Sequence, residues 1–403
     1  MNKLPDGWTE YKLKDIMSIS SKRYNPNKDT KNYKCIELEH IESETGILNG
    51  HTNSKDIHSV KNVFEKGEVL YGKLRPYLKK FYLAKFDGVC SSEIWVLKGK
   101  KVINDFLYYF IQQDNFNYIA NVSIGMIMPR ADWSYMSEIS FNIPPLDEQK
   151  RIAAALSKID AYLENTIKLI EKKERFKRGI AKKLLTCKEG ENIPEARFKG
   201  FNDDWRKEKL SSMIKIQGGY AFKSSEFKKS GIPIIRISNI SNTDNNMNMK
   251  EVVYYNEIEN EKSFIIKKSD LLIALSGAPG KSSIYNLEEK AYLNQRVGLF
   301  KIIDTKKINN SFLSQYVFSS IFQNKLKPFI TRGVQPNISP KDIENLDILL
   351  PSLKEQEKIG GYLSLLDKEI DNLKKQKELI EEMKRGAMQK LLSGEVRLVD
   401  NYD

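Results

Sequence analysis

Cysteine is scarce in this 403-residue chain: Cys35, Cys90 and Cys187 are an odd number with no paired spacing. That excludes a disulfide framework and fits a reducing cytosol. Histidine is equally scarce. His40, His51 and His58 lie near Cys35, but their spacing matches no zinc pattern and the second half of the chain has no histidine. No metal site is expected. No apolar run approaches the roughly 20 residues that span a bilayer. The N-terminus, MNKLPDGWTE, lacks the apolar stretch of a secretory leader, so a cytoplasmic protein is expected. Acidic residues are outnumbered, 53 against 66 Lys and Arg, giving a net charge of +13 and a pI near 9.2. Such an excess points to a polyanionic partner, nucleic acid foremost.

Catalytic signatures are missing too. GAPGKSS (Gly277–Ser283) resembles a phosphate-binding loop, but the glycine needed five residues before the Gly-Lys pair is Leu275. The segment after it reads as strand and turn, where that motif needs a helix. IPPL from Ile143 lacks the Asn or Asp and the aromatic of the amino-methyltransferase loop. There is no dinucleotide-binding glycine turn, no GxSxG, and no Cys–His pair in both halves. The chain reads as a binder without catalytic residues and without a cofactor of its own.

What is present is a repeat. Glu148–Leu185 lies on Glu355–Leu392 without a gap, 207 residues apart, with 16 of 38 positions identical. Identities include Glu148/Glu355, Gln149/Gln356, Ile152/Ile359, Leu156/Leu363, Asp160/Asp367, Lys177/Lys384, Arg178/Arg385, Gly179/Gly386 and Leu184/Leu391. IPPL precedes one copy and LPSL the other. The stretches before them open alike, GWTEYKLKDI from Gly7 and DWRKEKLSSM from Asp204, so Trp8 aligns with Trp205. Each stretch closes on a glycine turn, at Gly125 and Gly333. Two similar units suit a partner that itself offers two sites.

The organisation is globule–helix–globule–helix, with segments 1–145, 146–190, 191–352 and 353–403. In the first globule, KCIELEHI (from Lys34), GEVLYGKL (from Gly67) and VCSSEIWVLKG (from Val89) read as strands. NDFLYYFIQQDNFNYIAN reads as one helix capped by Asn104, with Phe106, Tyr109, Phe110 and Phe116 on one face. The second globule repeats the order, with strands from Ile232, Ser269 and Arg296 and a helix from Asn309. The fold class is therefore α+β. Ile359, Leu363, Leu366, Ile370 and Leu373 step by 4, 3, 4, 3 along the second long helix. Ile152, Leu156, Ile159 and Leu163 step by 4, 3, 4 along the first. These heptad seams predict helix pairing, most simply antiparallel. Cys187–Asp204 reads as a linker, and the residues from Val396 as a short tail.

Candidate DNA contacts are polar or cationic and lie in turns. In the first globule they are Arg23, Tyr24 and Asn25, Lys73 and Arg75, Ser91, Ser92 and Glu93, and Arg130. In the second they are Gln217, Lys223, Ser224 and Ser225, Lys281, Asn294, Gln295 and Arg296, then Arg332, Gln335 and Asn337. The basic loop at Tyr71–Lys80 lines up loosely with the one around Lys281. Arg and Lys suit guanine edges and phosphates, Asn and Gln suit adenine, and Glu can accept from cytosine.

Two diverged globules, each followed by a helix that begins P-x-L-x-E-Q and carries K-R-G before L-L, resemble the specificity subunit of type I restriction–modification systems. Pro144–Gln149, Pro351–Gln356, RFKGFNDDW from Arg197 and AYLNQRVGLFKI from Ala291 carry the resemblance. It implies two pseudo-symmetric mixed α/β target recognition domains joined by two long antiparallel coiled-coil helices. Each domain would read one half of a bipartite target in double-stranded DNA. The helices would set the spacer and dock two methyltransferase subunits, which hold S-adenosylmethionine. Motor-nuclease restriction subunits would bring ATP and magnesium. The first unit departs from the second, with SSEIWVL from Ser91 where the other has LNQRVGL from Leu293. Two other readings stand beside this one: a coiled-coil adaptor for proteins alone, and a self-contained methyltransferase or nuclease.

Overall fold

The computed structural model describes residues 5–122, 128–240, 247–258, 263–330 and 336–398. The chain forms two compact units. Unit 1 is Met1–Ile167 with Lys375–Asp403, and unit 2 is Lys168–Lys374. The unit boundaries fall inside both long helices, Leu146–Leu185 and Leu353–Ser393.

Among its described residues, unit 1 holds three sheets. Thr9–Lys12 pairs antiparallel with Ser140–Ile143, directly before the first long helix. A four-stranded sheet runs Met17–Ile19, Ile94–Gly99, Val69–Gly72, Phe81–Leu83. A five-stranded sheet runs Arg23–Tyr24, Lys61–Phe64, Gly88–Cys90, Lys34–Ile36, Thr52–Asn53, its Lys34–Ile36 and Gly88–Cys90 strands parallel. Unit 2 repeats this plan. Arg206–Lys209 pairs with Asp347–Leu350. One four-stranded sheet runs Ile214–Gly218, Val297–Ile302, Leu271–Ala274, Ser282–Ile284, and the other Val253–Tyr255, Ile232–Ile235, Ala291–Leu293, Ile265–Ile266. The parallel pair recurs as Ile232–Ile235 with Ala291–Leu293.

Several sequence expectations need correction. The run from Val89 is not one strand: it breaks at Ser91–Glu93 and feeds two different sheets. The helix expected from Asn104 is two, Asn104–Phe110 and Asp114–Ala120. The Asn117 amide donates to the Ile111 carbonyl, which the break releases, and to Gln113 O. Its counterpart is also broken, into Asn310–Phe318 and Ser320–Leu326, because Ser319 caps the second piece at Phe322 N. Asn104 is no cap. Its side chain accepts from Gly99 N and donates to Gly67 O, tying the helix start to two strand ends. Asn309 does cap, through Phe312 N.

The repeated helix residues turn out to be joints. Gln149 accepts from Ile103 N and donates to the carbonyls of Lys101 and Pro144. Gln356 does the same with Asn309 N, Lys307 O and Pro351 O. Both are buried, so each satisfies backbone groups that water cannot reach. Glu148 and Glu355 are buried carboxylates, 3% and 1% exposed, and each is gripped by an arginine fork. Arg397 Nε and Nη2 reach Glu148 at 2.7 and 2.8 Å, and Trp8 Nε1 adds a bond at 3.0 Å. Arg197 reaches Glu355 with both nitrogens at 2.8 Å. The segments read as linker and tail thus close the two units. Trp205 breaks the symmetry: among the described residues its buried Nε1 meets no acceptor.

The heptad seams serve the globules as much as each other. In unit 1, Ile152 and Leu156 share a core with Phe106, Phe110 and Phe116, and with Leu391 and Leu392 from the other long helix, with Ile159 at its edge. In unit 2, Ile359, Leu363 and Leu366 share one with Phe312, Phe322, Leu184 and Leu185. Ile370 is buried, while Leu163 and Leu373 are half-buried. Full burial of such a side chain contributes roughly 2 kcal/mol by removing its apolar surface from water. Gly360 allows the close approach: a Cβ there would meet Phe312 N at 2.5 Å. Within each unit the helix pieces run antiparallel. Lys173 pairs Glu369 and Lys177 pairs Asp367 in unit 2. In unit 1 Lys384 pairs Asp160, and Gln376 reaches Tyr162.

Candidate nucleic-acid interface

In each unit three surface segments are knitted by the same backbone bonds. The first is a hairpin loop, Lys73–Lys80 in unit 1 and Leu275–Lys281 in unit 2. The second is the turn before the long central strand, Ser91–Glu93 and Asn294–Arg296. The third is a returning segment, Pro129–Ala131 and Pro336–Ile338. Lys73 N donates to Glu93 O at 3.0 Å, as Leu275 N does to Arg296 O at 2.9 Å. Arg75 N donates to Pro129 O, as Gly277 N does to Pro336 O. Ala131 N donates to Lys73 O, as Ile338 N does to Leu275 O. The turns match as well, with Ile94 N on Ser91 O and Val297 N on Asn294 O.

This register sharpens the sequence alignment. Gly72 N donates to Lys80 O and Ala274 N to Lys281 O, so Lys80 is the counterpart of Lys281. Lys73 and Arg75 correspond to Leu275 and Gly277. Arg75 sits at φ +51° where its counterpart Gly277 sits at +75°. The SSEIWVL and LNQRVGL segments, unlike in sequence, make one turn in two versions. Glu93 stands where unit 2 has Arg296, and Arg130 where it has Asn337.

The side chains differ in charge and in support. Arg130 forks Glu93 at 3.0 and 3.1 Å. Hydrogen bonding from Arg130 lowers the Glu93 carboxyl below its ordinary value and raises the guanidinium above its own. Gln295, Arg296 and Asn337 are exposed, and Asn294 and Lys281 are half-buried. Lys223 is exposed and lies 3.6 Å from Glu226, with Ser224 opening a short 3-10 turn. Gln217 lies apart from this cluster, on the strand Ile214–Gly218, donating to Ser263 O. Arg332 and Gln335 lie outside the described residues, as do Gly125 and Gly333.

One expected contact, Tyr24, looks inward, while Arg23 stays exposed. Tyr24 is 4% exposed and meets Tyr33 edge-on, in a small core with Cys35 and Val89. Arg23 bonds the Asn62 side chain. Asn62 itself, unnoticed in sequence, is buried and donates to Ile94 O at 2.7 Å and Ser91 O at 3.4 Å, bracing the turn from below.

Tyr220 was also hidden in the sequence. It is half exposed, stacks on Phe264 at 5.0 Å, and bonds the turn at Leu293 O and Gln295 N. Gly219 permits this: a Cβ there would lie 2.1 Å from Leu293 O. The clue was the glycine pair before Tyr220 in QGGYAF. An exposed ring beside cationic turns can stack a base.

His40 acts through its backbone neighbours. Its Nδ1 accepts from Glu37 N, as Asn239 Oδ1 accepts from Arg236 N. Burial pushes the Cys35 thiol up to about 12 and Cys187 up to about 11, so neither is a ready thiolate. Among the described residues no group of His, Cys, Asp or Glu is placed to hold a metal ion, and no helix is long and apolar enough to cross a membrane.

The sequence profile of the type I restriction modification DNA specificity domain matches residues 5–172 and 202–382. The chain is 29% identical over 354 residues to the type I restriction enzyme MjaVIII specificity subunit of Methanocaldococcus jannaschii, covering 86% of this chain and 80% of that one. It is 26% identical over 423 residues to the putative MjaX specificity subunit of the same organism, covering 99% and 96%. Among solved structures, the type I restriction-modification S subunit from M. genitalium superposes with a TM-score of 0.60 at 17% identity, over 97% of both chains. A chain from a structure on the assembly and conformational transition of the type I restriction-modification system gives 0.58 at 17% identity, over 98% of this chain and 100% of that one. These two likenesses are of fold. With the domain profile matched in both units, the chain belongs to the type I restriction-modification DNA specificity family and is a specificity subunit.

Proposed function

We propose that the turn clusters of the two units are its reading heads, each taking one half of a bipartite duplex target. One observation carries this reading: the same hydrogen-bonded frame holds different side chains in the two units. Arg75, Glu93 and Arg130 occupy the places of Gly277, Arg296 and Asn337. A shared frame with exchanged polar groups suits two different base sequences met in the same way. Lys73, Arg75 and Lys281 supply phosphate contacts. Tyr220 supplies a stacking face.

Catalysis lies in partner subunits. Two modification subunits dock on the long helices and bring S-adenosylmethionine, and restriction subunits bring ATP and magnesium, all in the cytoplasm. The uninterrupted 40- and 41-residue helices serve as the ruler between half-sites.

The test is methylome sequencing of the assembled complex. Replacing residues 191–352 with those of another family member should change one half-site and keep the other and the gap. A change in both halves would sink the two-reader arrangement. Matched four-residue insertions after Thr166 and Leu373, about 6 Å of helix each, should lengthen the gap alone. An unchanged gap would remove the ruler.

A further inference from the structure

The Arg130–Glu93 fork in unit 1 has a chemistry of its own. Glu93 occupies Nε and Nη2 of the guanidinium at 3.0 and 3.1 Å. That leaves the outer Nη1/Nη2 edge without a protein partner among the described residues. This edge carries two parallel N–H donors, which match guanine O6 and N7 in the major groove. Arg130 remains 46% exposed in its side chain while Glu93 is 26% exposed.

Both ends of the fork are fixed. Arg130 lies in a backbone bridge to Leu74, flanked by bonds from Arg75 N to Pro129 O and from Ala131 N to Lys73 O. Glu93 O accepts from Lys73 N, and its turn rests on buried Asn62. An arginine held this way gives up little rotamer freedom on binding. It is also a poor phosphate ligand, because the adjoining carboxylate repels the same oxygens. Arg75, with no ion pair among the described residues, suits phosphate better. Unit 2 has Arg296 and Asn337 in these places, so the fork belongs to one half-site only.

We propose that Arg130 reads a guanine in the half-site of unit 1, with Glu93 and Asn62 as positioning residues that aim it. This rests on the reading of the unit 1 turn cluster as a DNA contact.

The experiment uses the complex with its partner subunits and duplexes carrying the methylome-defined target. Each base pair of the first half-site is replaced in turn. Arg130→Lys keeps the charge and loses the paired donors. It should lose roughly ten-fold or more of the discrimination at one G·C pair. Glu93→Gln should weaken discrimination at that same pair and no other, which a merely structural role would not do. Asn62→Ala should share the pattern. The proposal is overturned if Arg130→Lys discriminates as wild type, or loses affinity equally on every duplex. A control separates the two levels: residues 1–145 are exchanged for another family member's. If the first half-site stays the same, the DNA-contact reading of unit 1 itself fails. If it changes while Arg130→Lys does not, only the guanine assignment fails.

Discussion

Lys384 places its Nζ 2.7 Å from Asp160, and Lys177 makes the same pair with Asp367 in the other unit. The repeated Asp and Lys therefore pair crosswise, each helix supplying one partner to each unit. The aspartates are held by unlike second partners, Tyr109 OH at 2.8 Å in unit 1 and Gln315 Nε2 at 2.7 Å in unit 2.

Lys384 is 11% exposed and Asp160 27%, so loss of one partner strands a poorly solvated charge. Lys384→Met should lower stability by about 2 kcal/mol. Adding Asp160→Asn to that variant should cost little more, since the pair acts as one. Denaturant unfolding of the four-member cycle measures it, and full additivity would refute the coupling.

The arginine forks are more deeply set. Arg397→Ala should cost about 3 kcal/mol by leaving Glu148 buried with Trp8 as its remaining partner. Hydrogen exchange should rise in unit 1 and stay constant in unit 2. Arg197→Ala should give the reverse pattern through Glu355.

Arg75 can be replaced by the residue its counterpart already is. Arg75→Gly should leave the fold intact, because Gly277 holds the same place with positive φ. DNA binding should weaken equally on all sequences, with the salt slope reduced by about 1. Arg296→Ala should instead cost roughly 1–3 kcal/mol of discrimination at one position of the second half-site. Salt titrations on target and non-target duplexes distinguish the two.

Acid should release the Arg130 fork. The Glu93 carboxyl titrates below its ordinary value of 4.5 in the folded chain because of Arg130. A depressed folded pKa gives stability that is complete above 4.5 and is lost as pH falls through the folded value. The Tm difference between wild type and Glu93→Gln should therefore shrink on acidification below 4.5 and hold steady above it.

The repeat, the α+β class and the order of elements were legible because helix and strand periods are local signals. The joints were not. Glu148 and Gln149 stood out as repeated letters, yet nothing nearby in sequence names Ile103 or Arg397 as partners. Arg197 and Arg397 escaped the alignment because they are 200 residues apart, against 207 for the carboxylates they hold. Val89–Gly99 read as one strand because its apolar pattern runs across a turn fixed from outside by Asn62. Tyr24 looked like a surface reader for want of any local cue to Tyr33. Tyr220 drew no reading, although Gly219 beside it carried the sign of a close backbone approach.

The arginine that closes unit 1 follows the whole of unit 2 in the chain. Unit 2 is one unbroken stretch, Lys168–Lys374, and every piece of it has been synthesised before Lys375 is added. Unit 1 is begun first, yet during translation Glu148 waits for its cation until 249 further residues have been added. The unit begun first is thus the second to be completed, and a chain cut short before Arg397 carries one closed unit and one open core.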